Sequence, residues 1–191
     1  MTKKNTYRFG IDIDGTVTDP ATFIPAINEH FNKTLTLDDI TQYDLSRVLG
    51  ISGEDFWKWM QEHEGNLYAN AELASEAKRT LMEWERKHEL FYISARHTRF
   101  TDLTRDWFNQ NALPYHHIEL LGQHNKIDAV KNHDVDAFFE DKHDNAVGIA
   151  EECKIPVVLM NTPYNQDAVP DLVHRVDSWQ QARDTVRRLF G

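Results

Sequence analysis

The feature that most constrains this chain is an alternation that sets in near residue 89 and runs to its end. Short apolar runs at 90–94, 116–121, 135–140 and 156–160 are separated by stretches whose apolar residues recur at helical spacing. Apolar runs of this length, bounded by turn residues, suit strands buried on both faces. With connections this short, the rhythm predicts an α/β fold, a doubly wound parallel sheet. Helices are predicted over 100–110, 126–133 and 145–153, with one more short strand at 173–176. Ser178, Trp179, Gln180 and Gln181 read as a capping box opening a last helix. Arg187 and Arg188 suit the negative end of that helix.

The first strand, predicted over 7–13, carries the most informative residues. Its apolar run ends in Asp12 and Asp14, one residue apart, followed by Gly15 and Thr16. Residues two apart on a strand share a face, and Gly15 supplies a backbone able to turn sharply. Two carboxylates at the end of a buried strand are costly unless positive charge compensates them. Magnesium suits the position, because it takes oxygen ligands and often uses only one or two carboxylates.

One segment breaks the rhythm. Between the first and second strands the chain is polar and helical. The pattern predicts a helix over 20–32, a helix start at Thr36, and a helix from about 54 to 64 stopped by Gly65. Ser75 is read as the cap of the next helix, through Leu81, Trp84 and His88. The expected organisation is therefore an α/β core formed by 1–16 and 74–191, with 17–73 inserted as a helical cap. The length of 191 residues is enough for both.

Composition narrows the partners. The net charge of −10 argues against a nucleic acid polymer, whose binding needs clustered Lys and Arg. It permits a small anionic substrate, since a metal and one or two local cations override the global field. The single cysteine, Cys153, excludes an internal disulfide and reads as a helix core residue. The stretch 1–8 lacks the apolar run of a signal peptide and no later stretch is long enough to span a membrane, so no membrane partner and a cytoplasmic location are expected. Oligomeric state stays open, a homo-oligomer included.

In open α/β sheets ligands bind beyond the carboxyl ends of the strands. Those ends carry Asp12, Asp14, Gly15 and Thr16; then Ser94, Ala95 and Arg96; then His124, Asn125 and Lys126; then Glu140 and Asp141, with Asp144 just beyond. Together they make a kit for phosphoryl transfer: a carboxylate to attack phosphorus, a magnesium ion, and a hydroxyl and an ammonium for the remaining oxygens.

The four stretches resemble the four motifs of the haloacid dehalogenase-like (HAD) phosphohydrolases, in order and across essentially the whole chain. Asp12-Ile13-Asp14-Gly15-Thr16 matches the first motif fully, and Ser94 and Lys126 match the second and third. Glu140-Asp141 departs mildly from the Gly-Asp or Asp-Asp usual in the fourth. The insert and the Ile-Ser-Ala-Arg stretch are similar to the cytosolic-type 5′(3′)-deoxyribonucleotidases and their bacterial relatives. The resemblance implies a Rossmann-like core and a magnesium-dependent phosphomonoesterase acting through an aspartyl-phosphate, with a nucleoside monophosphate as first substrate. It implies Asp12 as nucleophile and Asp14 as acid and base. Magnesium would be held by Asp12, Asp14 through its backbone carbonyl, and Asp141. Ser94, Lys126 and Gly15 would bind the phosphoryl group. Thr16, Glu140 and Asp144 would stand behind them, the last two orienting Lys126 or metal-bound water.

Other residues invite weaker readings. Phe56, Trp59, Met60 and His63 form one helical stripe and read as packing. Trp57 lies off that stripe and could stack on a flat group. Arg96 and Arg99 could assist phosphate or sugar binding, and 161–165 could line the pocket. His116 and His117 point to opposite faces of a strand, and no histidine pair shows a usual zinc spacing, so no histidine metal site is expected. The alternatives are a HAD phosphatase acting on a sugar phosphate, and a phospho-accepting or binding module without turnover. A receiver module would place its lysine after the last acids, whereas Lys126 precedes Glu140.

Overall fold

The computed structural model describes residues 5–191; Met1 to Lys4, part of the stretch read as lacking a leader, lie outside the described residues. The strands are β1 (Arg8–Ile11), β2 (Glu89–Ser94), β3 (His117–Leu120), β4 (Ala137–Glu140), β5 (Val157–Met160) and β6 (Val173–Val176). They form one sheet in the order β3-β2-β1-β4-β5-β6, and every pairing is parallel. The order reverses direction on either side of β1, the doubly wound arrangement predicted. β4 and β5 are buried at every position, as expected for strands covered on both faces.

Two apolar layers sandwich the sheet. One contains Phe9, Leu81, Trp84, Tyr92, Trp107, Phe108, Phe139 and Trp179. The other contains Ile93, Val130, Phe138, Ile149 and Leu159. The helices that cover them are α4 (Ala77–Glu85), α5 (Thr101–Gln110), α6 (Ile127–Asn132), α7 (His143–Cys153) and α8 (Trp179–Phe190). Among the described residues no helix is long and apolar enough to cross a membrane.

The segment between β1 and β2 carries α1 (Ile24–Phe31), a single 3₁₀ turn at Leu37–Asp39, α2 (Leu45–Leu49) and α3 (Gly53–Ala69). Ile27, Leu49, Trp59 and Leu67 form an apolar cluster of its own, with Phe56 and Met60 packed against it. Its two ends leave the core side by side. Thr18 bridges Leu73, Asp19 N–H donates to Glu72 O at 2.9 Å, and Ala74 N–H donates to Val17 O at 2.9 Å.

Three local readings are corrected. α3 does not stop at Gly65 but runs on to Ala69. A mid-helix glycine costs about 1 kcal/mol, yet a Cβ there would sit 3.4 Å from Phe100, so the small residue suits the docking of α3 at that ring. Ser75 does not cap α4: Glu76 intervenes at φ +64°, and the helix starts at Ala77 without a side-chain cap. The box at Ser178 is half formed. Ser178 Oγ accepts from Gln181 N–H, but the Gln181 side chain accepts from Asp177 N–H, one residue outside the cap.

Gly10 sets the spacing between β1 and β4. A Cβ on it would fall 2.4 Å from the Phe138 ring and 3.0 Å from Val135. Overpacking of a filled core costs about 1–3 kcal/mol. Gly10→Ala is therefore expected to lower unfolding stability by that amount in urea titration; an unchanged midpoint would mean the ring has room to move.

Candidate active site

The strand ends predicted to carry chemistry converge on one cavity of about 800 Å³, roofed by the segment between β1 and β2. Asp12 directly follows β1, and its N–H donates to Phe139 O at 2.9 Å, so the chain stays tied to β4 at this point. Beyond it Ile13–Val17 form one wide turn, closed by Thr18 N–H on Ile13 O at 3.0 Å. Gly15 sits in this turn at φ +78°, and a Cβ there would lie 2.4 Å from Asp141 Oδ2. Positive φ and close approach each demand glycine.

Lys126 is the hub. The loop after β3 folds back onto β2, with Leu121 N–H on Ser94 O and Gly122 N–H on Arg96 O, both at 2.9 Å. That brings Lys126, which directly precedes α6, into the site. Its buried ammonium donates to Asp12 Oδ1 at 2.5 Å and Glu140 Oε2 at 2.8 Å, above the Phe138 ring. Burial works to lower the lysine pKa, but the two carboxylates outweigh it and the net shift is upward. Burial works to raise Glu140, but Lys126, the Asp141 side chain and the Lys142 N–H hold it below the usual carboxylate range; Asp141 N–H also donates to it at 3.1 Å. Asp12 is pushed up to about 7 by burial, against Lys126 and with the help of Glu140 and Asp14.

Asp141 is also buried and raised well above the ordinary value, by burial and then by Glu140 and Asp12. Its Oδ2 accepts the Tyr164 hydroxyl at 2.5 Å. The loop after β5 is anchored for this by fully buried Asn165, whose amide donates to Asp141 O and Met160 O, both at 2.7 Å. The carboxylate oxygens of Asp12, Glu140 and Asp141 lie within 4.8 Å of one another, a set able to hold a cation.

Asp14 faces the other way, toward β2. Arg96 grips both its oxygens, Nε to Oδ2 at 2.9 Å and Nη2 to Oδ1 at 2.8 Å. Arg96 is itself buried, donates to Thr104 Oγ1 at 3.1 Å and lies 4.1 Å from the Tyr68 ring of α3. Arg96, read as a substrate-binding residue, lines the cavity with its guanidinium bonded to Asp14 and Thr104. Arg99 is likewise committed, to Glu64 of α3.

The remaining predicted residues divide. Ser94 is buried on the cavity wall, its Oγ accepting from Arg96 N–H at 3.1 Å. Thr16 is fully buried behind the site, its carbonyl accepting from Trp179 Nε1 at 3.1 Å. Trp57 is 59% exposed at the cavity rim. Asp144 is displaced from its expected role. Its side chain is 86% exposed and pairs with His143, because α7 begins there and turns it outward. Asn145 takes the place next to Glu140, at 3.3 Å.

Residues missed from the sequence line the same cavity. Tyr43 meets His124 and Tyr164 edge-on at 5.8 Å each, with Lys142 at 4.6 Å over its ring. Tyr68 was hidden in a helix whose end had been misplaced. Tyr43 precedes the Asp44 cap of α2, and no periodicity marks it.

A parallel sheet of this order, with acids at the end of the central strand and an inserted helical segment, defines the class of HAD-like hydrolases. Solved members share the fold: SP0104 of Streptococcus pneumoniae, a haloacid dehalogenase-like family protein, superposes with a TM-score of 0.66 at 14% identity, over 95% of this chain and 98% of that one. YfnB of Bacillus subtilis, a HAD hydrolase by assignment and solved with magnesium bound, gives 0.64 at 11% identity, over 96% and 100%.

The 5′ nucleotidase, deoxy (Pyrimidine), cytosolic type C protein family matches residues 7–190, and the chain belongs to it. BH1399 of Halalkalibacterium halodurans, provisionally named a nucleotidase, is 55% identical over 96% of this chain and 94% of its own. YqfW of Bacillus subtilis, named in the same way, is 49% identical over 92% and 91%. The chain is accordingly a phosphoric monoester hydrolase.

Removing the hub should expose the charge it balances. Lys126→Met leaves Asp12 and Glu140 buried without their counter-charge, a defect worth about 3–5 kcal/mol. Both carboxyls then have folded pKa values raised above their unfolded ones, so protonation restores stability. The loss is expected to be larger at pH 8 than at pH 5.5 by thermal unfolding; equal losses at both would mean the cation is not what balances the site.

Proposed function

We propose that the chain is a magnesium-dependent 5′-nucleotidase-like phosphatase that hydrolyses a nucleoside monophosphate through an aspartyl-phosphate on Asp12. The observation that carries this reading is the pairing of Asp12 with Lys126 at the floor of a roofed, aromatic-rimmed cavity.

Whether the site suits a divalent ion can be tested on its charges. Asp12, Asp14, Glu140 and Asp141 supply four negative charges, and Lys126 and Arg96 supply two positive ones. The balance is −2, before a phosphate dianion adds more. Burial first, and then the neighbouring carboxylates, raise Asp12 and Asp141, so a bound cation would relieve both. The donors are all carboxylate and carbonyl oxygens, the chemistry magnesium takes. Asp12, Asp141 and the backbone carbonyl of Asp14 would hold it, and when bound it would neutralise charge on the transferring phosphoryl oxygens.

The protein's own groups then have distinct tasks. Lys126 occupies Asp12 Oδ1, leaving the other oxygen of that carboxylate to attack phosphorus. Lys126, Ser94 and the backbone around Gly15 receive the phosphoryl oxygens. Glu140 fixes the lysine, and Asn145 and two backbone N–H groups fix Glu140. Asp14 gives a proton to the leaving alkoxide and later takes one from the attacking water, as general acid and then base. Arg96 positions Asp14 for both steps.

The segment 17–73 serves as the cap, excluding bulk water when closed. The cavity volume and the rings of Phe56, Trp57, Tyr43 and Tyr68 suit a flat base better than a small sugar phosphate. Trp57, exposed at the rim, is placed to stack on it.

Asp12→Asn is expected to abolish turnover of nucleoside monophosphates and of a generic aryl phosphate while leaving the fold intact by circular dichroism. Undiminished release of phosphate would eliminate the covalent route.

Magnesium must displace protons from the raised carboxyls, so its binding should strengthen as pH rises through about 7, the value reached by Asp12. The thermal shift produced by magnesium is expected to be larger at pH 8 than at pH 6, and to fall sharply in Asp141→Asn. That variant should also be more stable than the parent when metal is absent, because it removes one buried charge. A shift that does not depend on pH or on Asp141 would place the metal elsewhere.

A further inference from the structure

Away from the cavity, on the edge strand β3, three ligating side chains converge. His117 and Glu119 lie two apart on β3 and so share a face. His133 immediately follows α6 and reaches the same place from the neighbouring layer. Its Nε2 is 2.7 Å from Glu119 Oε2, and His117 Nε2 is 3.9 Å from that same oxygen. All three ligand atoms fall within 4.8 Å of one another.

From this geometry we infer a second metal site, for a divalent first-row transition ion such as zinc, held by His117, Glu119 and His133. Zinc bonds imidazole nitrogen and carboxylate oxygen at about 2.0–2.2 Å, which in a tetrahedron sets ligand atoms about 3.3–3.5 Å apart. The two measured separations, 2.7 and 3.9 Å, bracket that spacing.

The surroundings favour the arrangement. Phe91, the residue paired with His117 across the sheet, places its ring 5.7 Å from His117 and 5.2 Å from His133. The imidazoles themselves are 4.6 Å apart. That packing limits the rotamers open to both and holds their Nε2 atoms toward Glu119. The side chains are 42%, 36% and 24% exposed for His117, Glu119 and His133, so a fourth position stays open to water or to an incoming ion. Two imidazoles and one carboxylate are softer donors than the all-oxygen set in the cavity, so the two sites select different metals.

The site has a structural consequence. The chain between Glu119 and His133 contains the loop that delivers Lys126 and the whole of α6. An ion bound at its two ends closes that loop onto the edge of the sheet and braces the element on which the lysine sits. Binding there would stabilise the fold without touching substrate.

The test is a zinc titration of the full chain, stripped with chelator and then held in excess magnesium, read by calorimetry and thermal shift. Cobalt absorption reports coordination number, since four-coordinate cobalt absorbs far more strongly than six-coordinate. One zinc per chain is expected to bind despite the magnesium and to raise the unfolding temperature, with an intense cobalt band. His133→Ala and Glu119→Gln should each weaken zinc by more than the ~10–100-fold that loss of an outer-shell partner costs. Asp141→Asn should keep it. Should His133→Ala fail to fold by circular dichroism, Glu119→Gln, which keeps the side-chain shape, carries the comparison. Zinc binding unchanged in the folded variants, lost only in Asp141→Asn, or not saturable at all would overturn the assignment.

Discussion

The ammonium of Lys126 between Asp12 and Glu140 is the interaction on which the rest of the site depends. It is buried, as are both its partners. A charge pair in such a place is worth having only when its geometry is good and its remaining valences are filled. Both conditions are met on the Glu140 side, where Asp141 N–H, Lys142 N–H and Asn145 complete the carboxylate. They are met only in part on the Asp12 side, which keeps one oxygen clear of the lysine and a raised pKa. One carboxylate is thus locked as a fixed counter-charge, and the other is the one proposed to react. Chemically similar groups on the two sides of one cation are separated by the number of N–H donors each receives.

The same division of labour extends to the helical segment between β1 and β2. Its α3 reaches the core through Tyr68 on Arg96 and Glu64 on Arg99. Arg96 is the arginine that grips Asp14. The roof and the group proposed as acid and base therefore share one buried cation. On the proposed reading, displacement of the roof loosens the packing around Arg96 and with it the orientation of Asp14. The paired backbone at Thr18 and Leu73 is the narrow neck about which such displacement would occur. Coupling of this kind needs no long pathway, only one side chain with contacts on both sides of a seam.

Much of this was legible in the sequence, and the reason is topological. In a doubly wound sheet the useful residues stand at strand ends, and strand ends are visible as the places where an apolar run meets Asp, Ser or Glu. Asp12, Ser94, Glu140 and Asp141 could be read that way. Lys126 could be placed because the loop carrying it is short. What failed depended on side-chain direction. Asp144 was put in the site by proximity along the chain, but the first turn of α7 points it to water and offers Asn145 instead. Arg96 stood at a strand end and its place on the cavity could be read there, but its grip on Asp14 could not. Gly65 was read as a stop because local propensity says so, while the Phe100 ring lies beside it in the fold. The approach of His133 to His117 and Glu119 at the β3 edge was not legible, because that spacing, two along a strand plus a helix end fourteen residues on from Glu119, matches no linear pattern.

A site of this construction also limits how stable the protein can be without its ligands. Asp12 and Asp141 are held above their ordinary values by burial and then by neighbouring carboxylates, Glu140 foremost, so each resists ionisation in the folded state. On the proposed reading, their relief comes from a bound cation and from the phosphate it attracts. The cluster is therefore better understood as stored electrostatic strain than as cohesion. Cohesion is supplied elsewhere, by the aromatic layer on one face of the sheet, where Phe9, Trp84, Phe139 and Trp179 pack ring against ring. That the strain sits at the carboxyl ends of the strands and the packing beneath them is what allows one to be maintained by the other.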